Sequence, residues 1–178
     1  IEALRKSKGA LSLALCRRLA QKAFQYTAGY DRQISHYLAK QFGPEGELPA
    51  ILDVTYERTQ VLRYGENPHQ RGALYTRAGG GAKFSFKQLQ GKELSYNNIL
   101  DFEAAVDILR EFRRPAVCVV KHNNPSGISE DPDLVTAAAQ AVDSDPLSAF
   151  GGIVGINQSC DGRVAKTILD KLGFFEVI

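Results

Sequence analysis

Residues Val117–Gly127 read V-C-V-V-K-H-N-N-P-S-G, so a lysine and a histidine stand side by side directly after four apolar residues. An imidazole titrates near neutral pH, so His122 can accept or release a proton. Lys121 can hold a negative charge that develops during a reaction. The pair predicts an acid/base unit. From these residues alone, the alternative is a solvated lysine beside a histidine that caps a turn.

A strand must position this pair. Ala116–Val120 is an unbroken apolar run rich in β-branched residues, which is typical of a strand buried on both faces. Neighbouring side chains on a strand point to opposite faces, so Lys121 and His122 line one pocket only if the chain bends there. The turn-rich residues Asn123–Gly127 supply such a bend, because the residue before a proline avoids helical geometry. We therefore predict a kink just past Val120.

A second string, RYGENPHQ at 63–70, also has residue types that bind ligands. Arg63 offers a planar fork for phosphate, and Tyr64 offers a ring face and a hydroxyl. Gly65 allows close approach to the backbone. The alternative interpretation is a polar surface turn.

A third string, DPLSAFGG at 145–152, ends in two glycines before an apolar run. Gly151 and Gly152 permit a tight turn with exposed backbone N–H groups. Phe150 either stacks on a base or fills the core. His36 and His69 lack the spacing of metal ligands, and the sequence contains no zinc signature, P-loop or G-x-G-x-x-G.

The pattern of apolar residues predicts the elements that carry these strings. A first helix is predicted at 11–42, with a break near Gly29. A second begins at a cap formed by Asn97 or Asn98, and its apolar stripe ends at Phe112. Two more are predicted from Asp131-Pro132 to about 142 and at 163–172. Strands are predicted at 52–57, 73–76, 84–89, 116–120, 152–156 and 174–178. From residue 98 onward, helices and strands alternate, which predicts an α/β fold with parallel strands. Ligands bind outside the carboxyl ends of such strands.

Composition excludes several classes of protein. The 178 residues are 44% apolar and 24% charged, and 22 basic against 20 acidic residues give a net charge of +2, so no nucleic-acid surface is predicted. No apolar run approaches transmembrane length. Three widely spaced cysteines argue against a disulfide framework and for a reducing cytoplasm. The chain begins with Ile1 and contains no Met, so we expect a piece of a longer protein.

Taken together and in this order, four strings resemble the bifunctional purine biosynthesis family, which combines 5-aminoimidazole-4-carboxamide ribonucleotide (AICAR) formyltransferase with IMP cyclohydrolase. The strings are RYGENPHQ, GKELSYNNILD at 91–101, VKHNNPSG at 120–127 and DPLSAFGGIV at 145–154. The resemblance divides the chain into a C-terminal helical segment of the cyclohydrolase domain at 1–43, a linker and first strand at 44–58, and the N-terminal part of the formyltransferase domain at 59–178. The implied fold is α/β, a three-layer subdomain like that of cytidine deaminase but without zinc.

The resemblance also implies roles for residues of this chain. The family transfers a formyl group from 10-formyltetrahydrofolate, a co-substrate, to the 5-amino group of AICAR, and needs no metal. His122 is expected to accept the amine proton, and Lys121 to assist at the folate leaving group. The expected substrate-binding residues are Arg63, Tyr64, Asn98, Phe150, Gly151 and Glu176.

Further expectations concern the assembly. The family site forms across a homodimer and uses residues from a segment not in this chain, so the 178 residues alone are expected to be inactive. The catalytic residues of the cyclohydrolase are expected to precede Ile1. A competing hypothesis is a nucleotide-binding or assembly module that kept the scaffold without turnover. A zinc-dependent deaminase is disfavoured because its ligand set is missing from the sequence.

Overall fold

The computed structural model describes residues 1–44, 46, 48–49, 51–80 and 86–178. The chain divides into two compact units, Ile1–Leu52 and Asp53–Ile178. The predicted domain assignment, which rests on family resemblance, stays a prediction.

The first unit is helical. Helix α1 spans Glu2–Lys6 and helix α2 spans Leu13–Phe42, with the Ser12 side chain accepting the Leu15 N–H at the start of α2. The predicted break near Gly29 is wrong, since α2 continues through it. One glycine costs a helix interior only about 1 kcal/mol, which a 30-residue helix can absorb.

The second unit begins with an antiparallel pair of strands. Strand β1 spans Tyr56–Val61 and pairs with β2 at Ala73–Arg77, with a bulge between Arg58 and Gln60. β2 confirms the strand predicted at 73–76, whereas β1 overlaps only the last two residues of the strand predicted at 52–57. Of the strand predicted at 84–89, residues 84–85 lie outside the described residues, and 86–89 form no strand.

The larger sheet has the strand order β4-β3-β5, and both pairings are antiparallel. Strand β3 spans Ala116–Lys121, β4 spans Asn124–Glu130 and β5 spans Ile153–Ile156. The predicted parallel arrangement is therefore wrong. The physical reason is that the chain reverses in two residues after β3, so an unpredicted strand, β4, pairs with β3 at once. A parallel bridge joins Ile153 to Val177, within the strand predicted at 174–178.

Helices cover both faces of this sheet. Helix α3 spans Tyr96–Arg110, α4 spans Leu134–Asp143, the one-turn α5 spans Pro146–Ala149, and α6 spans Gly162–Leu172. On β3, Val117 and Val119 pack with α4 and α6, while Cys118 and Val120 pack with α3. This alternation with a period of two follows from strand geometry. All four side chains are fully buried, which confirms the predicted buried strand.

The observed ends of the helices show where several predicted boundaries are wrong. Ser95, rather than Asn97 or Asn98, caps α3. Phe112 lies beyond the end of α3, so it is not part of a helical stripe. Asp133 caps α4, and the predicted opening at Asp131-Pro132 lies before that cap. The short α5 was not predicted, whereas α6 confirms the helix expected at 163–172.

Candidate functional site

A two-residue hairpin turn presents His122. Lys121 pairs with Asn124 across the hairpin, and His122 and Asn123 between them have φ values of 54° and 64°. Two successive left-handed residues are the pattern of a type I′ turn, which matches the twist of the flanking strands. This left-handed region costs backbone free energy for any residue other than glycine, although asparagine and histidine adopt it more often than most side chains. The chain thus turns sharply just after β3, as the predicted kink requires.

Lys121 connects this hairpin to the DPLSAFGG string. Its side chain is half-buried, and Nζ donates a hydrogen bond of 2.7 Å to the carbonyl oxygen of Phe150. Because a lysine ammonium carries three donors, Nζ can make this bond and still donate to a ligand. The structure therefore brings together two residues that stand 29 positions apart in the sequence.

The His122 ring is exposed, and the hydrogen bonds around it act on the backbone. Asn124 Nδ2 donates to the His122 carbonyl at 2.9 Å. The next backbone N–H, that of Asn123, donates to Asp101 Oδ1 on α3 at 2.6 Å. These bonds fix the turn that carries the imidazole. Convergence of the Lys121 and His122 side chains on one cleft stays a prediction.

The glycine turn lies against the end of β3. Gly151 has a φ of 74°, which favours glycine, and its N–H donates to the Phe174 carbonyl at 3.0 Å. A Cβ on Gly152 would lie 2.9 Å from the Val120 carbonyl oxygen, so the turn packs closely on the strand. The Phe150 side chain is 56% exposed and its ring centroid lies 5.8 Å from that of Phe174, so it does not fill the core.

The RYGENPHQ loop is an ordered turn that is hydrogen-bonded to the start of α3. Arg63 Nη2 donates to the Tyr64 hydroxyl at 3.2 Å, and the guanidinium carbon lies 4.9 Å from the centre of the Tyr64 ring. Both the hydrogen bond and the cation–π contact hold the Arg63 fork beside the ring. The Tyr64 carbonyl accepts the Tyr96 N–H at 3.1 Å, and Asn97 Nδ2 donates to the Glu66 carbonyl at 3.0 Å.

Asn98 lies in the first turn of α3, next to the residues that hold the loop. It is only 8% exposed, and its Oδ1 accepts the Ser95 N–H and the Ser95 hydroxyl, each at 3.0 Å. Its own N–H donates to Ser95 Oγ at 3.2 Å, which completes a capping box. The structure thus gives Asn98 a capping contact at the start of α3, whereas the preceding residue, Asn97, makes the bond to the loop. Its contact with substrate stays a prediction.

Glu176 lies next to the glycine turn through its backbone. Its N–H donates to the Gly152 carbonyl at 2.9 Å, and its side chain is exposed. It also lines a cavity of about 620 Å³ together with Phe102 and Phe175. The backbone bonds therefore place residues 150–152 beside residues 174–176. Separate bonds place the Arg63–Tyr64 segment against the first turn of α3, which also contains Asn98.

Sequence reasoning missed two residues of this region. Asp101 holds the turn that carries His122, and Asn97 holds the loop that carries Tyr64. Both lie within GKELSYNNILD, where the residue pattern predicts Asn97 only as a possible helix cap and predicts no role for Asp101. The available signal was that Asn98 and Asp101 are three residues apart, so they share one face of a helix.

The remaining features that bear on function are a buried thiol, the grouping of metal-ligand residue types and the apolarity of the helices. Burial raises the pKa of the Cys118 thiol to about 11, opposed in part by a hydrogen bond from the Gly155 backbone. Within residues 1–80 and 86–178, apart from the three undescribed positions before 51, no three His, Cys, Asp or Glu side chains are grouped to hold a metal ion. Across that same part of the chain, no helix combines the length and apolarity that crossing a membrane requires.

Comparison with known proteins gives the family. Residues 1–178 match the family model described as AICARFT/IMPCHase bienzyme. The bifunctional purine biosynthesis protein PurH of Acidithiobacillus ferrooxidans is 45% identical over 181 residues, covering 100% of this chain and 34% of its own length. PurH of Bacillus cytotoxicus is 46% identical over 97% of this chain, and PurH of Halalkalibacterium halodurans is 48% identical over 91%.

The chain spans about a third of the length of these curated relatives, 34% for the first two and 31% for the third. The family model nevertheless covers every residue of the chain, from the helices of the first unit to the last bridge of the second. The chain therefore belongs to the AICARFT/IMPCHase bienzyme family.

Proposed function

We propose that this chain supplies part of an AICAR formyltransferase site, which transfers the formyl group of 10-formyltetrahydrofolate to the 5-amino group of AICAR. One observation carries the proposal: Lys121, the residue before His122 in the chain, donates from Nζ to the Phe150 carbonyl at 2.7 Å. This contact joins the motif with acid/base residues to the motif with a glycine turn. A cyclohydrolase in the same full-length protein would close the product to IMP.

The proposed chemistry needs one group that accepts a proton and a second group that donates a proton or stabilises a negative charge. As the amine nitrogen attacks the formyl carbon, a C–N bond forms and the nitrogen must lose a proton. His122 accepts that proton, because a neutral imidazole has one ring nitrogen free to take up a proton. The bond from the formyl carbon to folate N10 then breaks, and N10 must gain a proton. Lys121 assists there by donating a hydrogen bond or by holding negative charge.

The remaining predicted residues hold AICAR in this proposal. Arg63 and Tyr64 suit the phosphate end, since the guanidinium fork can bind phosphate oxygens in pairs. The Gly151 turn offers close backbone approach to the imidazole ring region, and Phe150 offers an exposed ring face. Asn98 lines the site, and Glu176 binds the ribose.

We further propose the context of the site. The sheet with helices on both faces supports a cytidine-deaminase-like subdomain in which no zinc is needed. The site is completed by a homodimer of the full-length protein, which acts in the cytoplasm. Because the chain covers 34% of the length of the Acidithiobacillus relative, we expect the 178 residues alone to turn over no substrate at a useful rate.

The test uses the full-length protein with Lys121→Ala or His122→Ala. Release of tetrahydrofolate measures formyl transfer, and calorimetry measures AICAR binding. General acid/base catalysis contributes about 10²–10⁴-fold, so each variant should lose at least about a hundredfold in kcat. AICAR binding should change by less than about threefold, because the phosphate and ribose contacts remain.

Two matched variants control for loss of charge or of an imidazole. Lys166→Ala removes an exposed lysine paired with Asp170, and His36→Ala removes an exposed histidine on α2. Both should keep wild-type activity. Wild-type AICAR binding without any formyl transfer would instead support the nucleotide-binding module. Absence of AICAR binding by the intact protein would contradict both hypotheses.

A further inference from the structure

The hairpin that carries His122 needs support from outside its own strands. His122 and Asn123 both have left-handed backbone conformations, at φ values of 54° and 64°. In a two-residue turn the cross-strand ladder ends at the flanking pair, here Lys121 and Asn124, so the central N–H groups donate to water or to side chains outside the ladder. A turn that includes a strained residue persists when neighbouring structure holds it.

Asp101 provides such an acceptor. Its Oδ1 accepts the Asn123 N–H at 2.6 Å across 22 residues of sequence. A carboxylate that accepts a backbone N–H makes a charge-assisted bond, which is stronger than a neutral one. Asp101 is half-buried on α3, a helix that packs on β3 through Ala105 and Cys118, so its position is set by a rigid element.

The same stretch of α3 also holds the other substrate loop. Tyr96 and Asn97, in its first turn, bind the carbonyls of Tyr64 and Glu66. Asp101 lies one turn later and binds the hairpin. One helix thus sets the position of the predicted phosphate-binding residues and of the predicted general base. Because α3 is a rigid element, its side chains can fix the distance between the phosphate-binding residues and the general base.

We propose that Asp101 is a positioning residue for formyl transfer: its carboxylate holds the Asn123 amide and thereby the backbone that presents His122 to the amine of AICAR. Asp101 acts through the turn and needs no contact with substrate. This inference rests on the proposed function of Lys121 and His122. Misplacement of a catalytic group by about 1 Å can cost about a hundredfold in rate, so the effect is expected in kcat.

The experiment compares Asp101→Ala, Asp101→Asn and Asp107→Ala in the full-length protein. Asp107 is the matched control because it is an exposed aspartate on the same helix, paired with Arg110 at 2.9 Å. Steady-state kinetics give kcat and the KM for AICAR. Hydrogen exchange by mass spectrometry follows the Asn123 amide, which reports on the hairpin whether or not turnover occurs.

We expect Asp101→Ala to lower kcat by about 10–100-fold, with less than about a threefold change in KM. Asp101→Asn should restore most of the rate, because an amide oxygen still accepts the Asn123 N–H. The Asn123 amide should exchange about tenfold faster in Asp101→Ala than in wild type. Asp107→Ala should match wild type in both measurements. If Asp101→Ala does not fold, Asp101→Ser takes its place, since its shorter side chain cannot reach the amide.

The proposal is overturned if Asp101→Ala equals Asp107→Ala in kcat and in exchange at Asn123. It is also overturned if KM rises while kcat is unchanged, because Asp101 would then act in binding. A wild-type protein without formyl transfer would refute the proposed function instead. In that event the Asn123 amide still tests the contact. Hydrogen exchange at the wild-type rate in Asp101→Ala would overturn the positioning contact, and faster exchange than in wild type would support it.

Discussion

Gly127 lies on β4 where the strand crosses α4, and a side chain there has no space. A Cβ built on Gly127 would lie 1.9 Å from the Ala141 carbonyl oxygen and 2.9 Å from Ser144 Cβ. Ordinary contact begins near 3.4 Å, so Gly127→Ala requires β4 and α4 to separate by about 1.5 Å. The obstructing atom belongs to helix backbone, which cannot move aside as a flexible side chain would.

We expect Gly127→Ala to cost about 3 kcal/mol, the upper end of the usual range for overpacking. Separation of α4 from the sheet also loosens the contact between Ala141 and the rest of the core. Native-state hydrogen exchange of the β3 amides in the full-length protein measures this local stability. Since 1.4 kcal/mol corresponds to a factor of ten, exchange should accelerate about a hundredfold.

Gly162→Ala is the matched control for this change. Gly162 begins α6, and a Cβ there would meet nothing within 4 Å. The substitution should be neutral or stabilise by about 0.4–1 kcal/mol, because alanine has less freedom in the unfolded chain. Equal exchange rates in Gly127→Ala and Gly162→Ala would refute the packing argument.

Three further predictions concern polar and thiol side chains that contact the backbone or the core. Ser95→Ala should destabilise α3 by about 0.5–2 kcal/mol through loss of its cap, seen as faster exchange in its first turn. Asn157→Ala should cost about 1–3 kcal/mol, because its side chain accepts the Ala116 N–H at 2.8 Å and donates to the Arg114 carbonyl at 2.8 Å; exchange at Ala116 measures it. Burial raises the pKa of Cys118 from 9.0 to about 11, so the thiolate is disfavoured in the native state. Stability should therefore fall by up to about 3 kcal/mol as pH rises from 9 towards 11, and Cys118→Ala should remove this part of the pH dependence in denaturation.

The sequence by itself determined the elements with a strong local pattern. The apolar run Ala116–Val120 predicted a buried strand because a short run rich in β-branched residues, with no polar position, is typical of a strand covered on both faces. The spacing of apolar residues over 163–172 likewise predicted a helix, since one face of it must be buried. Four motif strings were sufficient to identify the family resemblance, and the match across residues 1–178 confirmed it.

Only the tertiary structure decided how the strands pair and how the site residues are held. His-Asn is not the usual sequence of a type I′ turn, because glycine or asparagine is favoured where φ is positive. The turn forms where a distant helix supplies Asp101 to the Asn123 amide, and it makes the sheet antiparallel. The contact of Lys121 with the Phe150 carbonyl also joins residues far apart in sequence. Such bonds depend on packing between elements, which the local pattern of residue types does not contain.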